Sequence, residues 1–100
     1  MTINFEYDNV KASARLEELA AKKVNKLMDK YHFIVRAHIT FKTENTSSTE
    51  TGMICTVLLS APGPDLFAQA SHGNFEASIA EVTDELERQL RKRKEKMQSH

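Results

Sequence analysis

Apolar and polar residues alternate through Ile3, Asn4, Phe5, Glu6 and Tyr7, the period of two that a strand with one buried face requires. Ser13 is suited to cap a helix running through Tyr31, because its hydroxyl can accept from the free amides of the first turn. Within that helix Leu16, Leu19, Ala20, Val24, Leu27 and Tyr31 gather on one side at roughly 100° per residue. The segment VRAHITFK then alternates strictly, with Val35, Ala37, Ile39 and Phe41 facing one way and Arg36, His38, Thr40 and Lys42 the other. It predicts a strand with one wet face. ENTSSTETG reads as a polar hairpin loop, MICTVLLS as a strand that is apolar at almost every position, and APGP as a forced turn. LFAQAS predicts a short fourth strand, whose small Ala68 and Ala70 leave room above them for something bulky. Asn74 can cap a last helix with apolar positions Phe75, Ile79, Val82, Leu86 and Leu90.

The order is therefore β-α-β-β-β-α, with no repeat and no linker. One sheet with a wet face and two amphipathic helices predict an α+β two-layer sandwich, with a four-stranded sheet and both helices on one face. A chain of 100 residues makes one domain, 1–100, with a single modest core. A groove between the helices follows from the layout.

Charge changes the picture through its placement. The 14 basic and 14 acidic residues cancel, so the total gives no reason to expect a polyanion partner. Residues 76–87 carry Glu76, Glu81, Asp84, Glu85 and Glu87 without a Lys or Arg. Residues 88–100 then carry Arg88, Arg91, Lys92, Arg93, Lys94 and Lys96 against Glu95 alone. Compensation of the helix dipole accounts for two or three cations at about 0.3–1 kcal/mol each, and this cluster exceeds that. Its members surround the helix, so the last turns are expected to extend beyond the sheet. On the first helix Arg15, Lys22, Lys26 and Lys30 form a stripe beside the apolar face. Lys23 falls inside the apolar arc, where its stem can lie on the core while the ammonium reaches out. A solvated helix face explains one such stripe alone. Two basic helical segments bordering one groove predict a site for a folded nucleic-acid backbone.

Nothing predicts catalysis. His32, His38, His72 and His100 show no metal-ligand spacing with one another or with Cys55. Gly52, Gly63 and Gly73 are isolated turn glycines, not a phosphate loop, and there is no nucleophile elbow. Cys55 lies in the apolar strand as a small core residue, and as the lone cysteine it excludes a disulfide framework. Arg36, His38 and Lys42 read as the wet side of the sheet, with a second RNA contact surface as the sharper alternative. No apolar run spans a bilayer, and the first residues lack a signal peptide's basic start and apolar stretch, so a cytoplasmic protein is expected. No cofactor, metal, small-molecule substrate or membrane partner is expected.

Three stretches carry a family resemblance. LEELAAKKVNKLMDKY, with Lys23, Lys26 and Leu27, resembles the first helix of the ribosome hibernation-promoting factors, the group that contains protein Y and is also called the sigma-54 modulation protein family. DLFAQASHGNFEASI resembles the family's strand running into its second helix, with Asn74 where an Asp is common. LERQLRKRKEKM is similar to its most characteristic stretch, and the likeness covers essentially the whole chain. The resemblance implies two parallel helices on the sheet, as in a double-stranded-RNA-binding domain. It also implies a monomer that binds the small ribosomal subunit and its rRNA in the mRNA channel, over the tRNA sites, and stores inactive ribosomes during slow growth. The chain is similar to the short form, without a C-terminal dimerisation domain. The residues expected to contact rRNA are Lys22, Lys23, Lys26 and Lys30 on one wall and Arg88, Arg91, Lys92 and Lys94 on the other. Two other readings remain: a free double-stranded-RNA binder recognising A-form shape, and a regulatory partner of a transcription factor using the acidic face of the last helix.

Overall fold

The computed structural model describes residues 2–98. Its elements are β1 (Thr2–Asp8), α1 (Ala14–Lys30), β2 (Arg36–Thr43), β3 (Met53–Ser60), β4 (Leu66–His72) and α2 (Phe75–Gln98). The strands form one mixed sheet in the order β1-β2-β3-β4. β1 runs parallel to β2, with Phe5 opposite Ile39, and α1 provides the crossover such a pair needs. The other two pairings are antiparallel hairpins, as short connections allow.

Both helix starts are capped by the expected residues. Ser13 accepts from the Leu16 amide, and Asn74 Oδ1 accepts from the Ala77 amide at 2.8 Å. The two helices cover one face of the sheet and run in the same direction, as two ion pairs between them record. Arg15 meets Glu76 near both starts, and Lys30 meets Glu87 further along. Beneath them lie Ile39, Phe41, Val57 and Leu59, which interlock with Val24 and Met28 of α1 and with Ile79, Leu86 and Leu90 of α2. Ala68 and Ala70 are buried where α2 crosses β4, so the space predicted above the small residues is filled by a helix.

Two positions depart from the pattern reading. Val35 precedes β2, its amide already donating to the Ser60 carbonyl of β3, and is 56 % exposed, while its neighbour Ile34 is the residue buried in the core. Met28 was not among the expected apolar positions, yet it is fully buried, one turn beyond Val24 on the same face. The hairpin loop between β2 and β3 closes through the Glu44 amide on the Gly52 carbonyl at 2.9 Å. Gly52 has φ +109°, and a Cβ there would stand 2.7 Å from the Glu44 carbonyl oxygen, so glycine is required on both counts.

Leu90 is the last fully buried residue of α2. Beyond it the helix extends past the core, and residue 93 alone among residues 91–98 is not exposed. Arg93 reaches back, its Nη1 donating to the Pro62 carbonyl and its Nη2 to the Pro64 carbonyl, both at 2.8 Å. The extension predicted from the charge cluster is thus tethered by one of the cluster's own members.

Candidate nucleic-acid interface

α1 and α2 pack so that Lys23, Lys26 and Lys30 line one side of the groove between them. Leu27 forms its floor, and Thr83, Asp84 and Glu87 of α2 form the far side. The expected second basic wall is therefore not there: along this length α2 presents acids. The reason is the helix's azimuth. With Val82, Leu86 and Leu90 turned onto the sheet, Asp84 and Glu87 rotate toward α1.

Glu87 organises the lower end of the groove. Its Oε1 accepts from Lys30 Nζ at 2.6 Å across the helix pair and lies 3.7 Å from Arg91 Nη2, one turn along its own helix. Its side chain is 23 % exposed, against 57 % for Lys30 and 59 % for Arg91, so the acid is drawn in while its partners face solvent. The Lys30 hydrogen bond holds the Glu87 carboxyl below the usual carboxylate range, against burial, which acts the other way. The Tyr31 hydroxyl and the Arg91 charge favour the ionised form too, although the buried Oε2 has no hydrogen bond of good geometry. The same contact with Glu87 raises the pKa of Lys30.

Lys94 completes this end. Its ammonium lies 5.9 Å from the Tyr31 ring centroid, and that of Lys30 lies 5.5 Å from the same ring. Lys30 and Arg91 thus meet at Glu87 as their shared acid, and Lys94 joins Lys30 at the Tyr31 ring. The other candidates are dispersed. Lys22 lies on the outer flank of α1 beside Arg15 and Glu18. Lys92 lies on the far flank of α2 beside Leu66 and Lys96. Arg88 is exposed and pairs with Glu85 at 3.4 Å along its own helix.

Sequence reasoning missed the roles of Glu87 and Arg93, although both had a signal. Glu87, Arg91 and Lys94 recur at helical spacing and so share a side; Arg93 continues the core stripe of Leu86 and Leu90 and must point back toward the sheet. The acidic outer face is also less free than its composition suggests. Glu81 Oε1 lies 2.8 Å from His72 Nε2, and Glu85 holds Arg88. On the wet face of the sheet His38 lies 3.3 Å from Glu6, and Leu58 and Phe67 are exposed cross-strand partners.

Burial pushes the Cys55 thiol up to about 12, which keeps it protonated and inert in the core. No group of three His, Cys, Asp or Glu residues suited to a metal occurs among the described residues; His100 lies outside them. No helix among the described residues is long and apolar enough to cross a membrane.

Fold and site together define a small α+β domain with cations gathered toward one end of a pair of parallel helices. The chain belongs to the family described as sigma 54 modulation protein / S30EA ribosomal protein, whose model matches residues 3–98. It is 28 % identical over 100 residues to the ribosome hibernation promoting factor of Escherichia coli K12, covering all of both chains. It is 27 % identical to that of Pseudomonas putida, over 99 % of this chain and 92 % of the relative. A ribosomal subunit interface protein from Coxiella burnetii superposes with a TM-score of 0.79 at 26 % identity, covering 94 % of this chain and 98 % of that one. The N-terminal domain of Thermus thermophilus protein Y shares the fold, with a TM-score of 0.73 at 18 % identity over 92 % of this chain and 98 % of its own. These relatives are named for the ribosome and not for a reaction.

Proposed function

We propose that this protein binds the small ribosomal subunit in the mRNA channel, over the tRNA sites, and holds ribosomes inactive in the cytoplasm. The observation that carries the reading is the convergence of Lys30, Arg91 and Lys94 at one end of the helix pair, on the fold of a ribosome-associated family. Three cations drawn from two helices present a charge pattern whose spacing is fixed by the fold. Such a pattern suits phosphates held in a folded RNA better than the regular phosphate ladder of a free duplex. Lys23 and Lys26 extend the contact along the groove, and Arg88, Lys22 and Lys92 supply outer contacts on its flanks. Free of the ribosome the protein is a monomer.

The transcription-factor reading has less support, because Glu81, Glu85 and Glu87 already face His72, Arg88 and Lys30. Sedimentation separates the readings. We expect stoichiometric co-sedimentation with isolated small subunits and intact ribosomes, displacement by tRNA and mRNA, and little affinity for a 20-base-pair RNA duplex at the same salt. Tight duplex binding with no subunit binding would establish the free RNA binder instead.

A further inference from the structure

Beyond the groove, at the end of the helix pair, α2 overhangs the start of the α1–β2 connection and leaves a hollow of about 280 Å³. Its floor is aromatic: Tyr31 is buried, and Phe33 meets it edge-on with ring centroids 5.9 Å apart. Met97 forms the overhanging wall and is 44 % exposed. Lys30 and Lys94 flank the mouth, and the Gln98 amide and His32 ring line its rim.

This combination is unusual for a solvated helix end. A thioether and a partly open aromatic ring face water beside two ammonium groups. Lys30 has Glu87 as a partner, whereas Lys94 makes no ion pair among the described residues and rests against the Tyr31 ring. The net charge at the mouth is positive and the interior is apolar. A group that satisfies both must be flat and apolar at one end and anionic at the other.

We propose that this hollow seats a single unstacked nucleotide of the bound RNA, its base against Phe33 and Met97 and its phosphate at Lys94 and Lys30. The inference rests on the function proposed above and deepens it, by adding a base contact to a site otherwise made of phosphate contacts. The hollow falls just below the roughly 300–1,000 Å³ of sites that enclose drug-sized ligands, which is ample for one base. Proteins that read unpaired RNA use this arrangement, with bases on aromatic faces and edges met by polar side chains. Gln98 and His32 are placed to meet such an edge.

The test uses the full chain with a methyl-labelled Met97, titrated separately with adenosine 5′-monophosphate, ribose 5-phosphate and inorganic phosphate. We expect only the adenosine compound to shift the Met97 methyl and Phe33 ring resonances. Met97 occupies an exposed helical position, so Met97→Gln should fold normally while abolishing that selectivity. It should also weaken small-subunit binding about tenfold, the scale of one lost base stack, with the salt dependence unchanged. Lys94→Gln should instead flatten the salt dependence by about one phosphate. Equal shifts with all three probes, or parent-like subunit binding by Met97→Gln, would overturn the proposal. Selective shifts from a protein that does not bind subunits at all would retain the nucleotide seat and reject the ribosomal reading.

Discussion

Glu87 holds Lys30 and Arg91 in one place, and it also subtracts a charge from the surface on which they act. The two effects oppose each other, and their sizes decide the outcome. An ion pair with exposed partners stabilises a fold by about 0–1 kcal/mol, so little rigidity is lost if the carboxylate becomes an amide. A phosphate approaching Lys30 must compete with Glu87 Oε1 at 2.6 Å, and that competition disappears in Glu87→Gln. We expect this variant to bind small subunits severalfold more tightly, measured by sedimentation at fixed salt. Its acid stability should change in a defined direction. Glu87 has a folded-state pKa below the ordinary value of about 4.3. Its contribution is therefore present above that value and is lost as pH falls through the depressed one. The parent and Glu87→Gln melting curves should differ near neutrality and converge in acid below that window. A constant offset at all pH values would remove Glu87 as an ionised tether.

At the scale of elements, the register of core positions was legible because each strand and helix repeats its period several times. Ile39, Phe41, Val24 and Leu86 all lie where alternation or helical spacing puts them. The caps Ser13 and Asn74 were legible too, since a cap acts on amides only a few residues away. What the pattern does not contain is the rotation of one helix about its axis relative to the other. That rotation turned Asp84 and Glu87 into the groove and left Lys22 and Lys92 on opposite flanks. Arg93 is the clearest case: its place on the core stripe is legible in the sequence, but the two carbonyls through which it ties α2 to the β3–β4 turn are not. Arg93→Lys keeps the charge but loses the planar fork that reaches two carbonyls. Hydrogen bonds from charged donors contribute up to about 1.5–3 kcal/mol, and in this solvent-facing setting a total loss of about 1–2 kcal/mol is expected. A domain this size should then melt several degrees lower in calorimetry. The salt dependence of subunit binding should stay the same. A flattened salt dependence in Arg93→Lys would instead make Arg93 an RNA contact.

For the whole molecule, neutrality of the total and positivity of one end are compatible because charge acts locally on a scale of about 8–10 Å at moderate salt. The acids are spent on partners: Glu76 on Arg15, Glu81 on His72, Glu85 on Arg88 and Glu87 on Lys30. Past Glu87 the extension of α2 has few acids left to offset its cations. Replacing Arg88, Arg91, Lys92 and Lys94 together with Gln tests what that end is for. All four are exposed, and Gln has nearly the same helix propensity. Each exposed pair or dipole contact contributes a few tenths of a kcal/mol, so the variant should remain folded and melt within several degrees of the parent. Binding should respond differently, since log K falls with log salt by about 0.7–0.9 per phosphate neutralised. We expect co-sedimentation with small subunits to be lost at physiological salt, and any residual binding at low salt to show a slope shallower by about three. Geometry also ranks the single changes. Lys94→Gln and Lys26→Gln should weaken binding more than Lys22→Gln and Lys92→Gln, because the first two border the groove and its end while the others lie on the outer flanks. Gln at Glu81 and Glu85 should leave binding intact, which controls for surface charge changes in general. If Lys22→Gln and Lys92→Gln proved the most damaging, the RNA would cross the outer flanks of the helix pair, and the groove end would not be its seat.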